Sequence, residues 1–439
     1  MRKLSAVLCA GVLWSCSGMV TGLPDASSEE DAGVRSTDAG SELPDAGMVE
    51  PIDAGTGPID AVIAAMPPNS WKALPGTRMD AVCPQSTNHY ACDLVMDAWG
   101  GGAFDSLRDR LIIFGGGHGD SFFNNVFAFD LGSMAWRRHT ELPAPLDGLA
   151  DGAPIPAAFY DKSPETCGLY PRANSFTVPV GWLTPSGYVL PDKCDDPAIA
   201  SQLDDQQPRS THTYGNVAFS SATGFFYNLG SSALYPSGQA TSRRVMAFDF
   251  STGRWLRKAD NAGIQIGGTS ASDAQGRLYY ARSGGLARYD ALTDAWESLP
   301  SGAATASYYS GAAVDTSRNR LVITSDGVTL QQWDLAAGGV PRTAITSTGL
   351  SAPLRSQLGF EYVRGLDRFV AWTGGRDLAW LDPATNAWVT STTTGDDPGA
   401  FPPNGVYGRI RYSPLRHVLV LARSTTGDVL IYKPPAIAP

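Results

Sequence analysis

Two short polar segments of the chain contain the side chains best suited to proton transfer. Residues 115–120 have the sequence Gly-Gly-Gly-His-Gly-Asp, and residues 209–214 have the sequence Arg-Ser-Thr-His-Thr-Tyr. An imidazole and a phenol can remove and donate protons in a β-elimination or a hydrolysis. We therefore predict His118, His212 and Tyr214 as candidate catalytic residues.

A second group of residues has the chemistry of ligand binding. Arginine forms paired hydrogen bonds with carboxylate and sulfate groups, and aromatic rings can pack against the faces of sugars. The candidates are Trp99, Asp120, Asn124, Arg209, Tyr308, Tyr309, Arg355, Arg376, Tyr407, Arg409 and Arg423. Each also has a structural interpretation, as a packing residue or as one partner of an ion pair. His118, His212 and Gln357 could in principle hold a divalent ion, but we predict no metal and no cofactor.

The elements that position these residues follow from a repeat. A polar turn followed by an apolar strand occurs six times, beginning at Ser106, Ala222, Ala274, Thr316, Arg364 and Pro414. After a glycine-bearing or polar break, a short alternating strand follows each copy and ends at Asp130, Asp249, Asp290, Asp334, Asp382 and Tyr432. A tryptophan for a further strand comes shortly after four of them, at Trp136, Trp255, Trp296 and Trp388. Self-similarity at a period of roughly 40–50 residues is typical of repeat folds. We predict an all-β fold, a six-bladed β-propeller with four-stranded antiparallel blades.

One strand near the N-terminus has no blade of its own. Residues 70–75, Ser-Trp-Lys-Ala-Leu-Pro, are similar to residues 295–300, Ala-Trp-Glu-Ser-Leu-Pro, in the third copy. The sixth copy ends without its outer strand. We therefore predict that residues 70–75 complete the last blade and close the ring, which removes an exposed sheet edge.

The loops that join strand 4 to strand 1 and strand 2 to strand 3 emerge on one face of a propeller, around its channel. Concave sites of this kind are where ligands usually bind, and the candidate residues fall in these loops. An insertion at residues 143–208 separates the first two blades. We predict that it forms a lid on the same face, because insertions of this length are usually functional or disordered.

The repeat and the two polar segments resemble those of secreted bacterial kelch-repeat propellers, which are similar to the central domain of galactose oxidase. The likeness extends from about residue 70 to residue 433. It implies the fold far more than an activity. The copper site of galactose oxidase requires a tyrosine cross-linked to a cysteine together with two histidines. We expect no such site, since disulfides account better for the cysteines of the mature chain.

The first 65 residues have the composition of an export signal and a tether. Arg2 and Lys3 precede an apolar run, so that residues 1–15 form a signal peptide that ends at a lipobox-like Leu-Trp-Ser-Cys. Cys16 would carry the lipid, although cleavage a few residues later is the alternative. Residues 16–65 form a predicted disordered linker, because an Asp-Ala-Gly-rich segment buries too little surface to fold. Ten acidic residues and one arginine at positions 17–60 account for most of the formal net charge of −10. The propeller is predicted at residues 66–435.

Four cysteines remain in the predicted domain. An even number in an exported chain favours two disulfides, and the local pairing is Cys83 with Cys92 and Cys167 with Cys194. A four-thiolate zinc site is the alternative, but neither pair has the close spacing of such sites.

Together these patterns predict an exported propeller with a ligand at its central mouth. A glycan, possibly an acidic one, is the first hypothesis, with a polysaccharide lyase as its enzymatic form. A non-catalytic scaffold that binds an extracellular protein is the second hypothesis. We predict a monomer that is anchored by lipid at the outer membrane or cell surface, or else secreted or periplasmic. The net charge and the absence of a basic cluster argue against nucleic acid as a partner.

Overall fold

The structure is a computed structural model of the chain. It describes residues 57–83, 92, 94–116, 125–139, 212–235, 238–242, 245–261, 263, 267–282, 285–300, 310–324, 329–341, 344–350, 354 and 357–435. Its helical segments are α1 (Pro58–Ala65), a 3-10 helix (Met79–Val82), α2 (Leu94–Asp97) and a 3-10 helix (Arg364–Leu366).

Strands make up most of the described residues. The first half of the chain contains β1 (Ser70–Ala73), β2 (Gly101–Asp105), β3 (Arg110–Phe114), β4 (Phe127–Asp130), β5 (Ala135–Arg138), β6 (Val217–Ser220), β7 (Phe225–Asn228), β8 (Ser231–Tyr235), β9 (Gly238–Ser242), β10 (Val245–Asp249) and β11 (Arg254–Lys258). The second half contains β12 (Thr269–Ser272), β13 (Leu278–Arg282), β14 (Gly285–Asp290), β15 (Ala295–Leu299), β16 (Gly311–Asp315), β17 (Arg320–Thr324), β18 (Thr329–Asp334), β19 (Val340–Pro341), β20 (Ile345–Thr346), β21 (Gly359–Val363), β22 (Arg368–Trp372), β23 (Leu378–Leu381), β24 (Trp388–Ser391), β25 (Thr394–Gly395), β26 (Ile410–Ser413), β27 (Val418–Leu421) and β28 (Leu430–Lys433).

These strands form six antiparallel blades, which confirms the predicted propeller. From the channel outward the blades are β2-β3-β4-β5, β6-β7-β10-β11, β12-β13-β14-β15, β16-β17-β18 with β19 and β20, β21-β22-β23-β24, and β26-β27-β28-β1 with the two-residue β25 paired outside β1. The hairpin β8–β9 lies between the second and third strands of blade 2. We call the face with the 4–1 and 2–3 loops the upper face and the face with the 1–2 and 3–4 turns the lower face.

The hydrophobic core lies between the blades. Each of six clusters of buried residues in the described part joins two neighbouring blades around the ring. The middle strands are apolar along nearly their whole length because both of their faces pack against a neighbour. β3, for example, is buried at every position after Arg110.

The ring closes as predicted, through the N-terminal strand. β1 pairs antiparallel with β28, with Trp71 opposite Tyr432, and so becomes the fourth strand of blade 6. The Trp71 indole donates a hydrogen bond of 3.1 Å to the carbonyl of Arg376 in blade 5. The outer-strand tryptophans of blades 1, 3 and 5 likewise donate to the preceding blade, so that this residue type joins neighbouring blades.

The aspartates that recur at the ends of the third strands have a local structural role. In blade 1 the Asp130 carboxylate accepts hydrogen bonds from the backbone and the hydroxyl of Ser133. Asp249 and Asp382 accept backbone hydrogen bonds in the same way in blades 2 and 5. Such side-chain-to-backbone bonds stabilise tight turns. The repeat of aspartate is therefore a feature of the fold.

The folded part of the chain begins earlier than predicted, because α1 occupies residues that we assigned to the linker. Ile59 of this helix is fully buried. The Lys433 ammonium group donates to the carbonyls of Ile63 and Met66 at the helix end, and Asp60 pairs with Arg416 on the lower face. These tertiary contacts stabilise a helix whose sequence alone resembles a tether.

One predicted disulfide is confirmed, between Cys83 and Cys92. Cys167, Cys194 and the insertion 143–208 lie outside the described residues, as do Cys16 and the signal segment. Among the helices of the described part, none has the length and apolar character needed to span a membrane.

Candidate functional site

Four aromatic side chains from three loops meet on the upper face. The Trp99 and His212 rings lie 4.6 Å apart between centroids, and Tyr214 contacts both His212 and Tyr407, at 5.9 and 5.6 Å. The loops that contribute them precede blades 1, 2 and 6. We call these four residues the aromatic cluster. Trp99 is half-buried, whereas the other three rings are buried.

The Tyr214 hydroxyl lies 3.5 Å from Nδ1 of His212, at the outer limit of a hydrogen bond. A ligand proton between these atoms could be exchanged with either group. The arrangement has the composition of an acid–base pair. The structure thus brings together Trp99, His212, Tyr214 and Tyr407 of the predicted site.

Three of these residues have a strained backbone. Trp99, Tyr214 and Tyr407 have φ angles of 53°, 48° and 37°, a region that bulky residues rarely adopt. Gln357 occupies the corresponding place before blade 5, with a φ of 66°. Each such residue costs about 1–3 kcal/mol, and such residues concentrate at functional sites. The other non-glycine residues with positive φ lie at 1–2 and 3–4 turns or beside β1, and most of them are Asn or Asp.

Glycines at the start of the inner strands let these loops approach one another. A Cβ on Gly101 would lie 2.0 Å from the carbonyl oxygen of Tyr214, and one on Gly359 would lie 2.1 Å from Ile410. The Gly102 amide donates to the carbonyl of Tyr407 at 3.1 Å, and the Tyr214 amide donates to that of Trp99 at 2.9 Å. The backbone therefore closes tightly below the aromatic cluster. A gap of only about 10 Å³ remains there.

Arg409 has a structural role next to this cluster. Its guanidinium is fully buried and donates to the carbonyls of Gly405, Ala422 and Arg423. Burial lowers the pKa of Arg409 to about 10, which leaves the group charged at neutral pH, and Asp97 and Tyr407 oppose this shift. We therefore leave Arg409 out of the binding surface and regard it as the support of the turn that carries Tyr407.

The other predicted residues on the described upper face lie in 2–3 loops. Arg376 is exposed in blade 5, and its carbonyl accepts hydrogen bonds from Trp71 and Thr393. Arg423 is half-buried in blade 6, beside Gly399. Both arginines are on the face of the aromatic cluster. Gln357 packs against Gly405 and accepts a hydrogen bond from the Val406 amide.

The described part of the structure does not contain seven residues of the predicted binding or catalytic set, nor Cys16. His118, Asp120, Asn124, Arg209, Tyr308, Tyr309, Arg355 and Cys16 lie outside the described residues. Within the described part, no group of three or more His, Cys, Asp or Glu side chains is close enough to hold a metal ion.

Sequence reasoning missed a second concave feature. A cavity of about 200 Å³ occupies the lower part of the channel and is lined by residues of all six inner strands and the turns after them. At its inner end the Arg411 guanidinium pairs with Glu361 at 3.0 Å and donates to the carbonyl of Gly102. The only signal in the sequence was a charged residue in each of two inner strands that are otherwise apolar or small.

Comparison with known proteins gives no family for this chain. No protein-family model and no curated protein matches it. The likeness of its repeats to kelch proteins therefore stays a prediction. What the structure establishes is the class, a six-bladed β-propeller with an aromatic cluster on its upper face.

Proposed function

We propose that this protein is an exported kelch-type propeller that binds a glycan at the aromatic cluster. The proposal rests on the ring contacts among the four residues of the aromatic cluster, which come from three separate loops. Three of these four residues have a positive φ angle. Amphipathic rings with polar tips suit a sugar, which offers apolar faces and hydroxyl edges. The arginines Arg376 and Arg423 on the same face favour an acidic glycan over a neutral one.

The enzymatic form of this proposal is a polysaccharide lyase. His212 or Tyr214 would remove the proton next to a uronate carboxylate, and the other would protonate the departing glycosidic oxygen as a carbon–carbon double bond forms. The 3.5 Å separation of Nδ1 and the Tyr214 hydroxyl supports this version. An arginine would neutralise the carboxylate, and Arg209 and Arg423 are the candidates.

We also propose that the protein is exported and anchored. The sequence supports this through the signal segment, Cys16 and the acidic linker. One structural observation is compatible with a tether. α1 lies on the lower face, where Asp60 pairs with Arg416, so the chain enters the propeller opposite the aromatic cluster. A surface-bound molecule held through its N-terminus would leave the upper face open to a ligand.

A glycan array with the purified propeller tests the binding function. We expect saturable binding to a set of glycans, with Trp99→Ala reducing it at least tenfold, because loss of an aromatic contact removes both area and stacking. The matched control is His417→Gln. His417 forms a second Tyr–His pair, with Tyr412 at 2.8 Å, but it lies on the lower face.

The outcomes separate the candidate functions. Binding that survives His212→Ala while cleavage of an acidic polysaccharide is lost, followed as absorbance of the unsaturated product, would support the lyase. Binding without any cleavage would support a glycan-binding module. An array with no binding at all would refute the glycan proposal and leave the protein-binding scaffold.

A further inference from the structure

Six residues form a ring at the lower opening of the channel. Each directly follows the inner strand of one blade, and all six line the 200 Å³ cavity. We call them the lower ring: Ser106, Ser221, Asp273, Thr316, Arg364 and Pro414. Two serines, one threonine and one arginine thus line a common opening, and the repeat of the fold itself places them there.

Arg364 differs from the other arginines of the lower-face turns in its ion pairing. Arg108, Arg277 and Arg318 each pair with the aspartate of their own turn, and Arg416 of blade 6 pairs with Asp109. In the part of the chain that the structure describes, no carboxylate pairs with Arg364, and its side chain is exposed. One cation at the opening is therefore available to an anion.

The remaining charges around the cavity are balanced. The Asp273 carboxylate accepts hydrogen bonds from Arg277 at 2.7 Å and from Tyr279 at 3.0 Å. Glu361 is neutralised by Arg411 at 3.0 Å. With these pairs complete, the cavity has one uncompensated positive charge at its rim and an ion pair at its inner end.

The hydroxyls of the ring supply neutral hydrogen-bonding groups. The Thr316 Oγ1 atom is buried, whereas the Ser106 side chain is exposed and the Ser221 side chain is partly exposed where they line the cavity. A hydroxyl can donate one hydrogen bond and accept others. These groups therefore suit a ligand that carries hydroxyls of its own.

We propose that the lower ring and its cavity bind a small hydroxylated carboxylate, the size of one acidic monosaccharide. Arg364 would bind the carboxylate, and Ser106 and Ser221 would bind the hydroxyls. The cavity is smaller than the roughly 300–1,000 Å³ of pockets for drug-sized ligands, and it is closed toward the upper face by Arg411 and the glycine-lined gap. A single sugar unit fits these limits, whereas a polysaccharide chain does not.

Titration calorimetry with D-glucuronate, D-glucose and acetate tests the proposal on the purified propeller. D-glucuronate should bind saturably, and the two partial ligands should bind at least tenfold more weakly, since each lacks one half of the recognition. Arg364→Gln should weaken D-glucuronate binding about tenfold or more, as expected for loss of a charge-assisted hydrogen bond. Ser221→Ala should weaken it several-fold without removing the charge.

The matched control is Arg254→Gln, which removes an exposed arginine from the outer strand β11 of blade 2. It should leave D-glucuronate binding unchanged. Absence of saturable binding, or equal binding by Arg364→Gln, would overturn the proposal. If acetate bound as tightly as D-glucuronate does, the proposed role of the lower-ring hydroxyls would be overturned. This result can be distinguished from that of the glycan array. If Trp99→Ala abolished D-glucuronate binding, that binding would belong to the upper face and the proposal for the lower ring would be overturned.

Discussion

The ion pair between Arg416 and Asp109 joins the last blade to the first, and its removal should open the ring. Both side chains are almost completely buried, with 5% and 3% of their surface exposed, and Nε of Arg416 lies 2.6 Å from the carboxylate. Ser413 donates to the same carboxylate, and Arg416 also binds Asp60 of α1. Breaking one side of a buried pair leaves an uncompensated charge, which costs about 3–5 kcal/mol. We predict a loss of this size for Arg416→Ala at pH 7.

The stability loss caused by Arg416→Ala should depend on pH in a definite direction. Burial raises the pKa of the Asp109 carboxyl, while Ser413 and Arg416 oppose the shift, so removing Arg416 should raise it further. A raised pKa means that the folded state takes up a proton more readily than the unfolded chain, and the cost of the buried charge disappears as pH falls through that pKa. The difference in stability between Arg416→Ala and the wild type should therefore shrink from pH 7 to pH 5.

Urea unfolding followed by tryptophan fluorescence at both pH values measures this difference. The matched control is Arg288→Ala, which removes a more exposed pair with Glu297, whose side chain is 56% exposed. Exposed pairs of this kind contribute about 0–1 kcal/mol. A loss for Arg416→Ala that is no larger than this control, or a difference that grows at pH 5, would refute the reasoning.

Three further predictions concern other parts of the propeller. Replacing the Cys83–Cys92 disulfide with alanines should cost about 2–3 kcal/mol in urea unfolding, given the short loop that it closes. Gly101→Ala should weaken glycan binding, because its Cβ would lie 2.0 Å from a carbonyl in the loop before β6, whereas Gly285→Ala, with open space around it, should not. Burial lowers the pKa of His139 to about 4, so stability should fall as pH drops from about 6.5 toward 4, and His139→Phe should flatten this dependence in thermal melts.

Much of the fold was predictable because the propeller repeats one unit. Six similar strand pairs define six blades, and the outer strand missing from the last copy indicates where Trp71 must pair. The α1 helix was not predictable in this way. Its residues resemble the acidic linker before them, and what fixes the helix is tertiary, namely the burial of Ile59 and the pairing of Asp60 with Arg416.

The candidate site was likewise predictable only in part. Period-two spacing predicts that His212 and Tyr214 lie on one side of a strand. This prediction is wrong, because both residues lie in the loop before β6 and Tyr214 has a positive φ, although their side chains do come together. The contact between Tyr214 and Tyr407 joins residues almost two hundred positions apart, and only the closed ring brings them near each other. Sequence reasoning could not separate Arg409 from the exposed arginines either, because its role depends on carbonyls in another loop.

The most direct test of the central claim is a crystal structure of the protein with the tightest-binding glycan of the array. The account predicts that a sugar ring lies against Trp99, with its polar groups within hydrogen-bond distance of His212 or Tyr214. A glycan bound elsewhere, with the aromatic cluster unchanged and unoccupied, would contradict the claim.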